Sequence, residues 1–224
     1  MRDTAKLEVV IAAIDAANAR DPNRTEIDGR TEPAELVYGR RMTATLARIA
    51  PDASEHLRID ARGQHIERWT SPRKSYAEGR VGYLRWRNEL KEFHARRLGE
   101  IMASAGYAHA DIARVGSLVR KEHLKSDSDA QLLEDVACLV FLEHYLSEFS
   151  RKTDAEKLAG ILAKTWKKMS PLDTRRPSRR NGLGQLIGGV PSGYAADATR
   201  LYGPSGNGHI ALGPHVQERS GAAA

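Results

Sequence analysis

The sequence predicts an all-α protein, with one helical domain of about seven helices over residues 4–170 and a disordered tail over 171–224. Three observations carry this expectation. Apolar residues recur at spacings of three and four from the N-terminus to about Met169, the period of a helix with one buried stripe. No segment shows the Val/Ile/Thr-rich alternation of a strand. From Pro171 onward the chain holds ten of its nineteen glycines and five of its nine prolines, with no sustained apolar period. Such a stretch builds no core to offset the entropy of ordering it.

The first helix is expected from about Thr4 to Arg20, stopped by the Asp21-Pro22-Asn23 turn signal, and a polar, glycine-containing loop follows. The second begins near Glu32 with Pro33 in its first turn, turns Leu36, Val37, Leu46 and Ile49 inward, and ends at Pro51. Asp52 is the expected N-cap of the third, which runs to about Trp69. TSPRKSYAEGRVG reads as a loop. The fourth helix covers about Tyr83 to Ala105 with Gly106 as its C′ residue, and the fifth about Ala110 to Leu124. In the sixth, Ser126 or Asp127 caps and Asp129 sits near the positive dipole end, which accounts for the acidic cluster without an EF-hand. The seventh spans about Asp154 to Met169.

No stretch approaches the ~18 apolar residues of a membrane span, and the first twenty residues are broken by Asp3, Glu8 and Asp15 rather than built as an export signal. The expectation is a soluble, cytoplasmic protein. The single cysteine, Cys138, lies in the apolar run VACLVFL and reads as a small buried hydrophobe. Between Ala61 and Arg97 stand ten basic residues against four acids, an excess equal to the net charge of +6 of the whole chain. A field of that kind attracts phosphates, though it is also what a solvated basic helix face looks like.

The informative positions are titratable residues where the helical period demands a hydrophobe. His65 continues Leu57 and Ala61, His94 lies between Leu90 and Leu98, His123 follows Val119, and Asp135 falls between Leu132 and Leu139. Imidazoles and a carboxylate from facing helices suit a divalent ion such as Mn, Co, Zn or Fe in a hydrolase. Each also has a plain alternative. A lone histidine on an apolar face is satisfied by one hydrogen bond, and Asp135 can pair with a buried arginine such as Arg41 or Arg62. No Walker loop, G-x-G-x-x-G after a strand, CxxC pair, G-x-S-x-G elbow or H-E-x-x-H is present.

The blocks ARGQHIERWTSPRKSY, GYLRWRNELKEFHA and QLLEDVACLVFLEHY resemble the family known as domain of unknown function 4202, over about Lys6 to Ser170. Some of its members carry a glutamyl-tRNA synthetase label, and no nucleotide-binding α/β domain or motif is visible here to match it. At the level of fold the chain also resembles the helical HD phosphohydrolases, which hold metal with a histidine, a His-Asp doublet and a distant aspartate. That resemblance implies an HD-like orthogonal bundle. LRIDARGQHIERW is similar in position to the doublet helix, with Ile66 where the doublet's aspartate stands and Glu67 one residue on. His94 and His123 correspond to additional histidines, and LEDVACL to the final aspartate.

Together these readings give an expected metal-dependent phosphohydrolase acting on a phosphorylated small molecule or nucleotide. Its metal ligands are His65, His94, His123 and Asp135, its catalytic carboxylate Glu67, and its phosphate-holding arginines Arg62, Arg68, Arg73, Arg85 and Arg87. The rival is an RNA- or tRNA-associated module in which Trp69, Tyr76, Tyr83 and Trp86 stack bases between arginines that hold phosphates.

Overall fold

The structure is a computed structural model describing residues 2–170; the tail expected from 171 lies outside the described residues. Within them the chain is helical apart from one β-hairpin. In order come α1 (Arg2–Asn18), β1 (Arg24–Ile27), β2 (Arg30–Pro33), α2 (Ala34–Ile49), α3 (Glu55–Gly63), α4 (Gly79–Ser104), α5 (His109–Arg120), α6 (Ser128–His144), α7 (Leu146–Arg151) and α8 (Ala155–Lys168). The chain falls into two compact units, divided after Val136 within α6. No described helix is long and apolar enough to cross a membrane.

The hairpin occupies the segment expected as a loop. Its strands pair antiparallel with Ile27 opposite Arg30, and Asp28 and Gly29 both take positive φ, 50° and 74°. That is the geometry of a two-residue type I′ turn, for which Asp-Gly is the sequence signal. The signal was there; the strands are too short, at four residues each, to show an alternation. The hairpin delivers the chain to α2, whose start is capped from a distance. Fully buried Asp21 accepts from the Glu35 backbone N–H at 2.9 Å and from Asn23, placing a carboxylate on amides that have no partner within the helix.

In the first unit, Val10, Ile14 and Ala17 of α1 meet Ile59 and Ile66, Ala95, Leu98 and Met102 of α4, and Val115 and Val119 of α5 in one core. Two glycines let its helices approach closely. A Cβ on Gly39 would lie 2.6 Å from the Arg62 carbonyl, and one on Gly63 would lie 2.4 Å from Leu98 Cδ2. α2 and α4 thereby both press against α3. In the second unit, Cys138 is buried with its Sγ 3.8 Å from the Thr165 carbonyl, and Phe141 and Phe149 pack edge to face.

Several boundaries differ from expectation, each for a local reason. Ser54, not Asp52, caps α3 by accepting from Leu57 N–H. α3 ends at Gly63, and a turn through a left-handed Glu67 (φ 50°) replaces the helix expected to reach Trp69. α5 stops at Arg120 because Lys121 turns left-handed. Gly106, with φ 76°, follows α4 as the C′ residue expected of it. Asp127 accepts from the backbone N–H groups of Asp129 and Ala130 at the start of α6, and Asp154 from that of Lys157 in α8.

Candidate functional site

The turn after α3 points His65 inward, where it is buried. Its ring stacks on Tyr38 of α2, centroids 4.0 Å apart and 8° from parallel. Glu35, one helical turn before Tyr38, lies with Oε2 3.2 Å from His65 Nδ1. On the ring's other nitrogen, Arg68 donates to Nε2 at 2.9 Å. The two contacts together fix one neutral tautomer: the proton sits on Nδ1, donated to Glu35, and Nε2 presents its lone pair to Arg68. Gln64 accepts from the Tyr38 hydroxyl at 3.2 Å and holds the stacking partner in place.

α4 brings the second imidazole. The His94 ring lies 6.3 Å from that of His65, and its buried Nε2 has no hydrogen-bond partner. Asp60 of α3 is fully buried, and neither of its carboxylate oxygens has one. Orphaned polar atoms are costly in a folded interior, and they concentrate where a site awaits a ligand or works through an unusual proton affinity.

The electrostatics follow from this burial. Desolvation lifts the Glu35 carboxyl to about 7, against the pull of Arg68, and lifts Asp60 to about 7, against the pull of Lys121. The same desolvation, joined by the positive charges of Arg68, Lys121 and Arg87, holds His65 well below its ordinary range. His94 is lowered by burial first, then by His65 and Arg68. Near neutrality both rings are neutral, and both acids are poised to gain or lose a proton.

Of the residues expected at the site, His65, His94 and Arg68 come together, and Arg87 acts on the same cluster. The others are employed elsewhere. Glu67, expected as the catalytic carboxylate, faces α1 and α4, where it accepts from Arg20 and Arg97 at 2.7 Å each while Asn18 accepts its backbone N–H. Arg62 grips both oxygens of Asp15 at 2.6 Å. Arg73 donates to the Tyr76 carbonyl within its own loop. Arg85 lies in solvent and pairs with Glu89. His123 is exposed in the left-handed turn beyond α5 (φ 56°), off the stripe that Val119 suggested. Asp135 accepts from Gln131 at 2.9 Å.

Glu35, Tyr38, Asp60, Gln64 and Lys121 complete the cluster and were not legible as site residues. Glu35 follows Pro33 in the first turn of α2, where an acid reads as a dipole partner. Asp60 carried the one usable signal, an acid flanked by Ile59 and Ala61, both fully buried.

Among the described residues no three His, Cys, Asp or Glu side chains converge to hold a metal ion. The donor chemistry agrees, since His65 Nε2 is taken up by Arg68 and the position of an HD doublet's aspartate is filled by fully buried Ile66. Two of the aromatic residues of the RNA reading, Trp86 and Tyr76, are also engaged. Trp86 is buried, its Nε1 donates to the Ser71 carbonyl at 2.8 Å, and its face is covered by Arg68 at 5.1 Å. Tyr76 donates to Glu89.

A family model described as Domain of unknown function (DUF4202) matches residues 8–176 of the chain. No curated protein and no solved structure matches it.

Proposed function

We propose that this chain, which belongs to the family described as Domain of unknown function (DUF4202), is a phosphohydrolase-like enzyme in which a neutral imidazole acts as general base on a phosphorylated small molecule or nucleotide. The observation that carries the reading is the Glu35–His65–Arg68 relay. A carboxyl group on one ring nitrogen and a displaceable cation on the other hold the imidazole neutral and oriented, its proton on Nδ1 and its lone pair on Nε2.

The chemistry follows from that geometry. A phosphoryl oxygen draws the Arg68 guanidinium away from His65 Nε2, which frees the lone pair as the substrate arrives. A water on that side gives one proton to Nε2 as its oxygen attacks phosphorus. Glu35 stabilises the imidazolium so formed. Arg68, now on the phosphoryl oxygens, offsets the charge that builds there. The P–O ester bond breaks on the side opposite the water, the leaving oxygen takes a proton from solvent and His65 returns its own to solvent, so ester and water become phosphate and alcohol. Among the described residues no three metal-donor side chains converge, and no step here is routed through a divalent ion.

Purified full-length protein and a His65→Ala variant, assayed against a panel of sugar phosphates and nucleotides, test this reading. The wild type is expected to turn over at least one member, and the variant to lose about 100-fold or more, the scale of a positioned general base. Turnover of sugar phosphates should persist in a chelator. A wild type that hydrolyses nothing on the panel overturns the reading, and nucleic acid retained through purification would then favour the binding module.

A further inference from the structure

Three half-buried cations, Arg68, Arg87 and Lys91, stand near the His65–His94 pair or one turn from it on α4, and none of them is in an ion pair among the described residues. Arg87, Lys91 and His94 stand at i, i+4 and i+7 on α4, one stripe of the helix. Arg87 contacts the Tyr83 ring, its guanidinium 6.0 Å from the centroid, and Lys91 lines an open groove of about 820 Å³ with Thr70, Ser71, Asn88 and Phe93. From the other side Arg68 reaches the His65 ring. Neither Arg68, Arg87 nor Lys91 forms an ion pair among the described residues. Lys121, where α5 ends, is also present, but its ammonium is committed to Glu134.

This is costly as a resting arrangement. Burial, together with Arg87 and Lys121, depresses the Lys91 ammonium against the weaker pull of Glu134 and Glu92, and Lys121 and Arg87 likewise press on His65. Of the carboxylates that share the groove, Glu89 is taken by Arg85 and Tyr76 and Glu92 by Arg120, while Glu122 lines it without pairing with Arg68, Arg87 or Lys91. Like charges gathered without ion pairs are stabilised by an anion from outside.

We propose that Arg68, Arg87 and Lys91 form the anion-binding half of the same site and select substrates bearing a diphosphate over those bearing one phosphate. The inference rests on the acid–base reading for turnover, and on the cations alone for binding. A phosphate monoester carries about −1.5 to −2 near neutrality, fewer charges than the three free cations supply, and a diphosphate closes the gap. Span agrees with charge, because Arg87 and Lys91 are separated by about 6 Å along the helix axis. That distance lets each take a different phosphoryl group while Arg68 moves from His65 to the inner one.

The test is calorimetric titration of the full chain with inorganic pyrophosphate and with inorganic phosphate at one ionic strength, followed by R87Q/K91Q. Pyrophosphate is expected to bind at least about ten times more tightly than phosphate, and the double variant to lose about tenfold or more for pyrophosphate with an unchanged melting temperature. His65→Ala should keep pyrophosphate binding while losing hydrolysis. Equal affinity for the two anions, no binding, or binding indifferent to the double variant overturns the inference. The two ideas fail separately: pyrophosphate binding without turnover of any ester sinks the enzyme and leaves the anion site. Turnover of monoesters with no pyrophosphate binding does the reverse.

Discussion

Between Asp60 and Arg68, α3 and the turn after it send charged and polar side chains to two surroundings. Toward α1 and the C-terminal half of α4, every charge is answered. Arg62 meets Asp15 in a bidentate pair, and Glu67 meets Arg20 and Arg97, with the left-handed backbone at Glu67 anchored by Asn18. Toward α2 and the middle of α4, groups are left open: Asp60 and His94 Nε2 have no hydrogen-bond partners, and Glu35 accepts from His65 Nδ1. Residues of the same chemistry, a few positions apart, are thus structural in one place and reactive in the other. The difference lies in whether the opposing helix supplies a complementary charge, and a saturated pair fixes geometry whereas an unsaturated one retains proton affinity to use on a ligand.

The largest expected effect tests the unsaturated side. Asp60 holds its proton up to about 7 in the folded state against 3.8 as the ordinary value. Between those values the folded protein binds more protons than the unfolded chain, so this group's contribution to stability falls as pH rises from ~4 to ~7. Glu35 acts in the same direction. The two imidazoles, lowered by burial, act oppositely as pH drops below the histidine range. The wild-type profile mixes these contributions, and Asp60→Asn separates one. Its stability relative to wild type should climb between pH 4.5 and 8 by up to about 4 kcal/mol, an upper bound from the size of the shift. Urea unfolding at three pH values reads it, and a difference flat with pH would show that Asp60 is partnered in solution.

On the saturated side, Arg62→Ala leaves Asp15 without either of its two hydrogen bonds in a partly buried setting. The expected loss is about 2–3 kcal/mol by denaturant unfolding. A loss below about 0.5 kcal/mol would place this pair with ordinary surface ion pairs.

Gly39→Ala acts on the joint between the two regions. The new methyl would meet the Arg62 carbonyl, and backbone yields less readily than a side chain, so about 1–3 kcal/mol is expected. Tyr38, its neighbour, should shift off His65, and hydrolysis should fall with stability. Unchanged turnover would detach the stacking from the chemistry.

The smallest effect is Arg97→Ala, about 1 kcal/mol or less, because Arg97 is 29% exposed and Arg20 remains on Glu67. A fall in hydrolysis larger than the fall in stability would return Glu67 to the reacting groups.

Features that depend on local period and composition were readable from the chain alone. Leu36, Val37, Leu46 and Ile49 are buried on α2 as their spacing requires, Gly106 follows α4, Asp127 and Asp154 receive the first amides of their helices, and His65 and His94 are turned inward. Helical period reports which way a side chain faces relative to its own axis. It does not report what stands opposite, and there the tertiary structure decided. Glu67 and His65 are two residues apart, yet a left-handed turn sends one to Arg20 and Arg97 and the other to Glu35. Arg62 and Arg68 share a charge and stand six residues apart, and the position of Asp15 on α1 makes the first a brace while the second rests on an imidazole. Glu35 becomes a site residue because Asp21, fourteen positions earlier, holds the start of α2 in place. Charges interact through space at distances set by packing, so the partner of each one is a property of the folded chain.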